Sequence, residues 1–565
     1  MGFTVIRLPN DRLKFPADAP ATRAESAALF LIVWLGFCQA MAGPPILNYL
    51  EPAGVQAGTT VEVTVAGTLE PGPIQLRFND ERLTAEPTSK KGIFTVRAAP
   101  NTPPGLYFCR AISSEGISNL RPFLVGSFPE ISEPQGNDLP ATAPVISLPT
   151  VVNGKLEKAG DVDCYKVMLK RGQTLVAALE ANRRLKSPID AILQLTTPSG
   201  FVLTQNHDRD GLDPRLEWTA AEDGEVVVRV FAFPAIPDSA IRFSGGNDCI
   251  YRLTLTTGGY AEHPWPLAVN RHRPVPVALI GPNIPRNFPP IQLPLPLSES
   301  ESRQLIVAPG VANPVTVAVE SIPCLTADAL PPDLTPPFLI SGQFDKPGQT
   351  ISIPFHGKKG IRYSIATESR TLGYPATLMI HLVDSQGNTL TRLEPSRVDA
   401  DPATVLTPKN DGQFLLQVRE LFNAAGRSFV FRIRITQAEP DFEITSSTDR
   451  IVVPIGKTAN ATLTLTTLNN FNSEIQVVAE NLPEAVTMTV GAVTKKGATW
   501  TIPLQFQAKQ PVAAAPFRIA VYTLTDPKRK RYVTVKNDEL EQQFHELWIV
   551  ALASRPAPPS PSPKS

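Results

Sequence analysis

Apolar and polar side chains alternate along most of this chain, in short runs closed by turn formers. Val61-Glu62-Val63-Thr64-Val65 follows Pro52-Ala53-Gly54 and Gly58-Thr59-Thr60, and Ala461-Thr462-Leu463-Thr464-Leu465 and Ile475-Gln476-Val477 continue the habit far downstream. Successive side chains of a strand point to opposite faces, so such alternation buries one face and wets the other. Apart from the apolar run Ala27 to Ala42, no long segment carries the helical apolar period. The pattern predicts an all-β chain of tandem β-sandwiches.

The strands also recur. Val152-Asn153-Gly154, Gly160-Asp161-Val162-Asp163, Gly172, Pro198-Ser199-Gly200, Asp213-Pro214, Asp223-Gly224 and Tyr251-Arg252-Leu253 form the first set. Ile340-Ser341-Gly342, Gly348, Gly360, Ser385-Gln386-Gly387, Asp401-Pro402, Asp411-Gly412 and Phe431-Arg432-Ile433 repeat it in order. The shared positions are turn formers between apolar runs, which implies one β domain present twice. A smaller echo links Gly116-Ile117-Ser118-Asn119 and Phe128-Pro129 to Gly310-Val311-Ala312-Asn313 and Ile322-Pro323, extending the duplicated unit upstream. An enzyme rarely needs its scaffold twice, so the duplication points to binding or spacing.

Length and charge narrow the classes. At roughly 100–200 residues per domain, 565 residues divide into several domains, each able to bury a core. Lys+Arg and Asp+Glu both total 53, which gives no electrostatic drive toward nucleic acid. The run Ala27 to Ala42 follows Arg7, Arg12, Lys14 and Arg23 and closes on Ala40-Met41-Ala42, the layout of a secretory signal. It is short of the roughly 20 residues of a comfortable bilayer span, so export is expected, with an uncleaved N-terminal anchor as the rival and the one route to a membrane. Bulky Phe37 before Cys38 speaks against lipidation. Export would leave Cys109, Cys164, Cys249 and Cys324 in an oxidising compartment, where they are either buried thiols or paired. Among the alternatives, Cys164 with Cys249 joins the first and last strands of one repeat.

Val152-Asn153-Gly154, Gly160-Asp161-Val162-Asp163, Gly172-Gln173, Ser187-Pro188-Ile189-Asp190, Ser199-Gly200, Asp223-Gly224 and Tyr251-Arg252-Leu253 resemble the bacterial pre-peptidase C-terminal domain. That domain is a jelly-roll-like β-sandwich appended to secreted proteases and other exported proteins. The segment from Pro45 to Gly126 is similar to immunoglobulin-like domains of the IPT/TIG type, and the overall order to large exported proteins of planctomycete-type bacteria. Residue patterns and resemblance together give a signal peptide at 1–42, an Ig-like domain at 43–127, and a pre-peptidase-like sandwich at 128–260 that begins with a Pro-rich linker from Ser132 to Pro149. A degraded Ig-like or Pro-rich segment at 261–337, a second copy at 338–438, an Ig-like sandwich at 439–553 and a Pro-rich tail at 554–565 complete the order. It implies a non-catalytic accessory module, and calcium as the one ion to consider.

Asp161, Asp163, Asp208, Asp210 and Asp213, with Asn206, form the richest acidic group and are the candidate calcium ligands. Asn206-His207-Asp208-Arg209-Asp210-Gly211 alternates oxygen donors but lacks the Glu that closes an EF-hand loop, and His207 stands where the family carries an acid. Asx turns are the competing reading. The second copy has Gln349 and Ile351 in place of Asp161 and Asp163, so no metal is expected there. The six histidines have no paired spacing, Ser118 lacks a nucleophile elbow, and Lys528-Arg529-Lys530-Arg531 reads as a solvated hairpin tip. Trp218 falls on an inward position of its strand.

The expectation is an exported, non-catalytic multidomain β-protein acting in extracytoplasmic binding, display or spacing, with a protein or polysaccharide partner. An accessory subunit of a secreted protease and a carbohydrate-binding protein are the alternatives.

Overall fold

The computed structural model describes residues 43–553 except 71, 238, 240, 241, 296, 298–301, 527 and 528. The expected signal segment, the Pro-rich tail and Lys528 therefore lie outside the described residues. The chain is all-β, a series of sandwiches as the alternation predicts.

The two copies match strand for strand. In the first, one sheet runs Glu130–Ser132, Thr150–Lys155, Ile250–Thr256, Thr174–Glu180, Arg215–Thr219, and the facing sheet Asp163–Leu169, Gly224–Pro234, Ile189–Thr196, Val202–Asn206. The second copy has Cys324–Thr326, Phe338–Gln343, Val430–Gln437, Tyr363–Glu368, Ala403–Leu406 facing Thr350–Gly357, Gly412–Glu420, Leu378–Val383, Thr389–Leu393. In both, the leading strand is parallel to its neighbour and the other pairs are antiparallel. The shared glycine of the first motif has a packing reason. A Cβ on Gly154 would lie 2.3 Å from Cζ of Tyr251, and one on Gly342 would lie 2.3 Å from Cζ of Phe431.

The shared aspartate has a capping reason. Asp213 accepts the backbone N–H groups of Ala181, Asn182 and Arg183 at 3.2, 2.8 and 3.1 Å, closing the helical turn Asn182–Leu185. Asp401 does the same for Ser369, Arg370 and Thr371 at 2.9, 3.1 and 2.9 Å. The upstream echo is structural as well. Asn119 accepts from the N–H of Leu47 and donates to its carbonyl at 2.8 and 2.9 Å, and Asn313 treats Ala261 likewise at 2.9 and 2.7 Å.

The first sandwich pairs the sheet Ile46–Glu51, Thr60–Thr68, Ile93–Ala98, Leu83–Pro87 with Gly54–Gln56, Arg121–Gly126, Gly105–Ser113, Gln75–Phe78. The Pro-dense segment folds too, into small sheets over a core that includes Val269, Val277, Leu279, Val317 and Val319. The last sandwich faces a seven-stranded sheet with a five-stranded one across Phe442, Trp500, Phe506 and Phe517. It packs back on the first: Ile117 meets Trp548 and Val550, the Phe108 and Phe544 rings stand 4.9 Å apart, and Arg110 pairs with Asp449 at 2.5 Å.

Candidate functional site

The five candidate calcium ligands separate into two groups. Asp161 and Asp163 lie at the start of Asp163–Leu169, whereas Asp208, Asp210 and Asp213 lie on the connection from Val202–Asn206 to Arg215–Thr219. Both oxygens of Asp213 are occupied by the helical-turn amides, and burial still raises its pKa to about 6. Asp161 accepts the N–H of Glu157 at 2.6 Å. Asp208 faces His207 at 3.1 Å in solvent, and Asp210 forms a backbone bridge to Asp213. Among the described residues no three His, Cys, Asp or Glu side chains gather as a metal donor set, and these acids sit in turns and caps.

Asp163 is the exception, because it is buried among other polar groups. Its strand alternates Asp163, Tyr165, Val167 and Leu169 inward, all at most 2% exposed. One Asp163 oxygen lies 2.5 Å from the Tyr251 hydroxyl, which in turn meets the Tyr165 hydroxyl, and the other accepts from Asn137 at 3.2 Å. Asn137 also donates to Glu133 at 2.8 Å, and Glu133 accepts the N–H of Lys155 at 2.9 Å. Burial, then repulsion from the Glu133 carboxylate, pushes Asp163 up to about 9, so it holds its proton at neutral pH. The same burial keeps both tyrosines protonated. The expected linker from Ser132 to Pro149 thus contributes Asn137 to the interior and packs Ala143 and Ile146 on the sandwich. In the second copy Ile351, Ile353 and Phe431 fill the corresponding positions with apolar groups.

A second charged assembly joins both copies to the Pro-dense segment. Glu262, whose side chain is 5% exposed, accepts from Arg209 at 3.0 Å, Arg215 at 2.5 Å, Arg427 at 2.7 Å and Ser428 at 3.0 Å. Burial alone would raise Glu262, but Arg427 and Arg215 outweigh it and hold the carboxyl at about 2. Buried His263 bonds the Arg427 carbonyl at 2.7 Å through Nε2. These partners lie far apart in the chain, and no local spacing signals them.

The other candidates are spent on structure. The Ser118 hydroxyl accepts from the N–H of Ala111 and donates to the Asn119 carbonyl. His356 meets Asp333, and His381 bridges Gln417 and Thr389. The described part of the basic run lies on a hairpin, partly in solvent and partly paired: Arg529 pairs with Glu439, Arg531 with Asp441, and Lys530 lies 2.7 Å from Glu480, which also accepts from Tyr522 and Tyr532. Trp218 packs on the core of the first copy, as its strand position predicts. All four described cysteines are free thiols. Cys249 joins the inter-sheet core, whereas Cys164 points to the other side of its sheet, against Ala143 and Val227, so the two cannot pair.

A cleft opens between the first sandwich and the first copy. Its volume is about 480 Å³, and its wall includes Asn48, Tyr49, Lys186, Asn247 and Asp248 over Leu185 and Ile250. Neither alternation nor repeat spacing pointed there, because its wall is shared between two sandwiches.

No protein-family model and no curated protein matches this chain.

Proposed function

We propose that the chain is an exported, non-catalytic binding protein whose sandwiches act as one scaffold for an extracytoplasmic macromolecule. The Glu262 assembly carries the reading. One buried carboxylate held by arginines from both copies fixes their mutual orientation, and the contacts between the first and last sandwiches do the same at the chain's ends. Fixed placement is what a surface assembled from several modules requires, whereas a flexible spacer needs none. Binding is therefore favoured over spacing within the same class. In this reading the duplicated sandwich is a pre-peptidase-like module and the flanking ones are Ig-like; the matched sheet orders of the two copies support the duplication itself. The buried, high-pKa thiols and the engaged histidines fit a non-catalytic role.

Among the described residues no helix is long and apolar enough to cross a membrane. The test is fractionation of cells expressing the tagged chain, followed by co-sedimentation of the purified protein with their envelope. Export with saturable co-sedimentation is expected. Retention in the cytoplasm, or no saturable binding at any ionic strength, refutes the proposal.

A further inference from the structure

Two local backbone features shape the cleft between the first sandwich and the first copy. Leu47 pairs with Gly67 and Tyr49 with Ala66, so Asn48 is the extra residue of a β-bulge, a device that re-aims a side chain. Lys186 holds φ 58° at a position where the second copy has Gly373 at φ 85°. Both residues cap a short helical turn, the Lys186 amide donating to the Asn182 carbonyl, so the left-handed cap sets the Lys186 side chain at the edge of the cleft.

The polar groups of the wall are available. The side chains of Asn48 and Asn247 and the carboxylate of Asp248 make no hydrogen bond or ion pair within the described residues. The two cations are already neutralised, Lys186 by Glu541 at 3.0 Å and Arg121 by Glu539. What remains is a set of planar amide and carboxylate groups above an apolar floor of Leu185 and Ile250, with the half-buried Tyr49 ring at one side.

We propose that this cleft binds a neutral glycan, seating a hexose or a short stretch of a polysaccharide chain. The inference rests on the binding role proposed above and names its ligand class. Vicinal hydroxyls present paired donors and acceptors that amides and carboxylates can satisfy together, and the C–H face of a sugar ring suits tyrosine and aliphatic surface. An acidic ligand would find no free cation and would meet Asp248. An extended peptide would pair with the edge strand Ile46–Glu51, but the bulge at Asn48 interrupts that edge. The volume falls in the range of roughly 300–1,000 Å³ typical of ligand sites, which gather at junctions between domains.

The experiment is calorimetric titration of the purified protein with soluble β-glucan, xylan and mannan and with their hexasaccharides. Asn247→Ala/Asp248→Ala and Asn48→Ala replace side chains that bond to nothing in the protein, so their thermal midpoints should match the parent. At least one neutral glycan should bind, and each variant should weaken it by about tenfold or more. Binding of none of these glycans overturns the inference, as does unchanged affinity in both variants or competition by peptides instead of sugars. If Asn247→Ala/Asp248→Ala still co-sediments with envelope like the parent, the cleft assignment fails while the binding role stands. If the parent itself does not co-sediment, the binding role fails.

Discussion

Replacing Asp163 with Asn should make the first copy more stable at alkaline pH and remove most of its pH dependence. In the folded protein burial and then Glu133 raise Asp163 to about 9, while in the unfolded chain it titrates near about 3.9. Between those values the folded state holds a proton that the unfolded state has lost. Stability is complete below the lower value, falls by about 1.4 kcal/mol per pH unit through the window, and levels off above the upper one. From pH 5 to pH 8 the loss amounts to at most about 4 kcal/mol, with local relaxation around Glu133, Asp161, Tyr165 and Tyr251 reducing it. Asparagine is neutral like the protonated acid, of nearly the same shape, and keeps an acceptor for one of the two donors, Asn137 and Tyr251, that face this position. The assay is chemical denaturation at pH 5, 6.5 and 8, read through Trp218 on the core of this copy, with Trp218→Phe subtracting the other tryptophans. Parallel pH profiles for the parent and Asp163→Asn would refute the reasoning.

Glu262→Ala should cost about 3–5 kcal/mol, because it strands the buried Arg215 charge, and should separate the unfolding of the copies into distinct calorimetric transitions. Because the folded pKa of Glu262 is depressed to about 2, its stabilisation is full above the unfolded value near about 4.3 and fades as pH drops toward 2, which acid titration of the same transitions would reveal. Saturating calcium and a chelator should give the same thermal midpoint, since the candidate acids already serve turns, caps and the buried hydroxyl pair; an increase with calcium would overturn that account. Reductant should leave the midpoint unchanged, and the three buried thiols Cys109, Cys164 and Cys249 should react with a disulfide reagent only on unfolding, while half-buried Cys324 should react first, slowed by a pKa that burial raises to about 12.

The duplication was legible because the repeated residues are turn and packing devices with few substitutes. Gly154 and Gly342 touch a ring, and Asp213 and Asp401 each collect three amides, so the positions persist while the sheet faces drift. The fate of Asp163 was legible in principle. Strand parity places it on the side of Tyr165 and Val167, in the interior, and places Cys164 on the opposite side from Cys249. The Glu262 assembly was not legible. Its arginines stand 47, 53 and 165 positions away along the chain, and an arginine is equally at home on a solvated surface.

The packing of the last sandwich on the first sets a condition on how the chain matures. Arg110 waits for Asp449 and Arg121 for Glu539, 339 and 418 residues later, while Ile117 needs Trp548 and Val550 to cover it. A chain that leaves its exit channel N-terminus first presents that apolar face, with Arg110 lacking its counter-ion, until the last sandwich has followed and folded. A product cut short before the last sandwich would leave that face open, so the closing contact ties the burial of the first sandwich's surface to the arrival of the last.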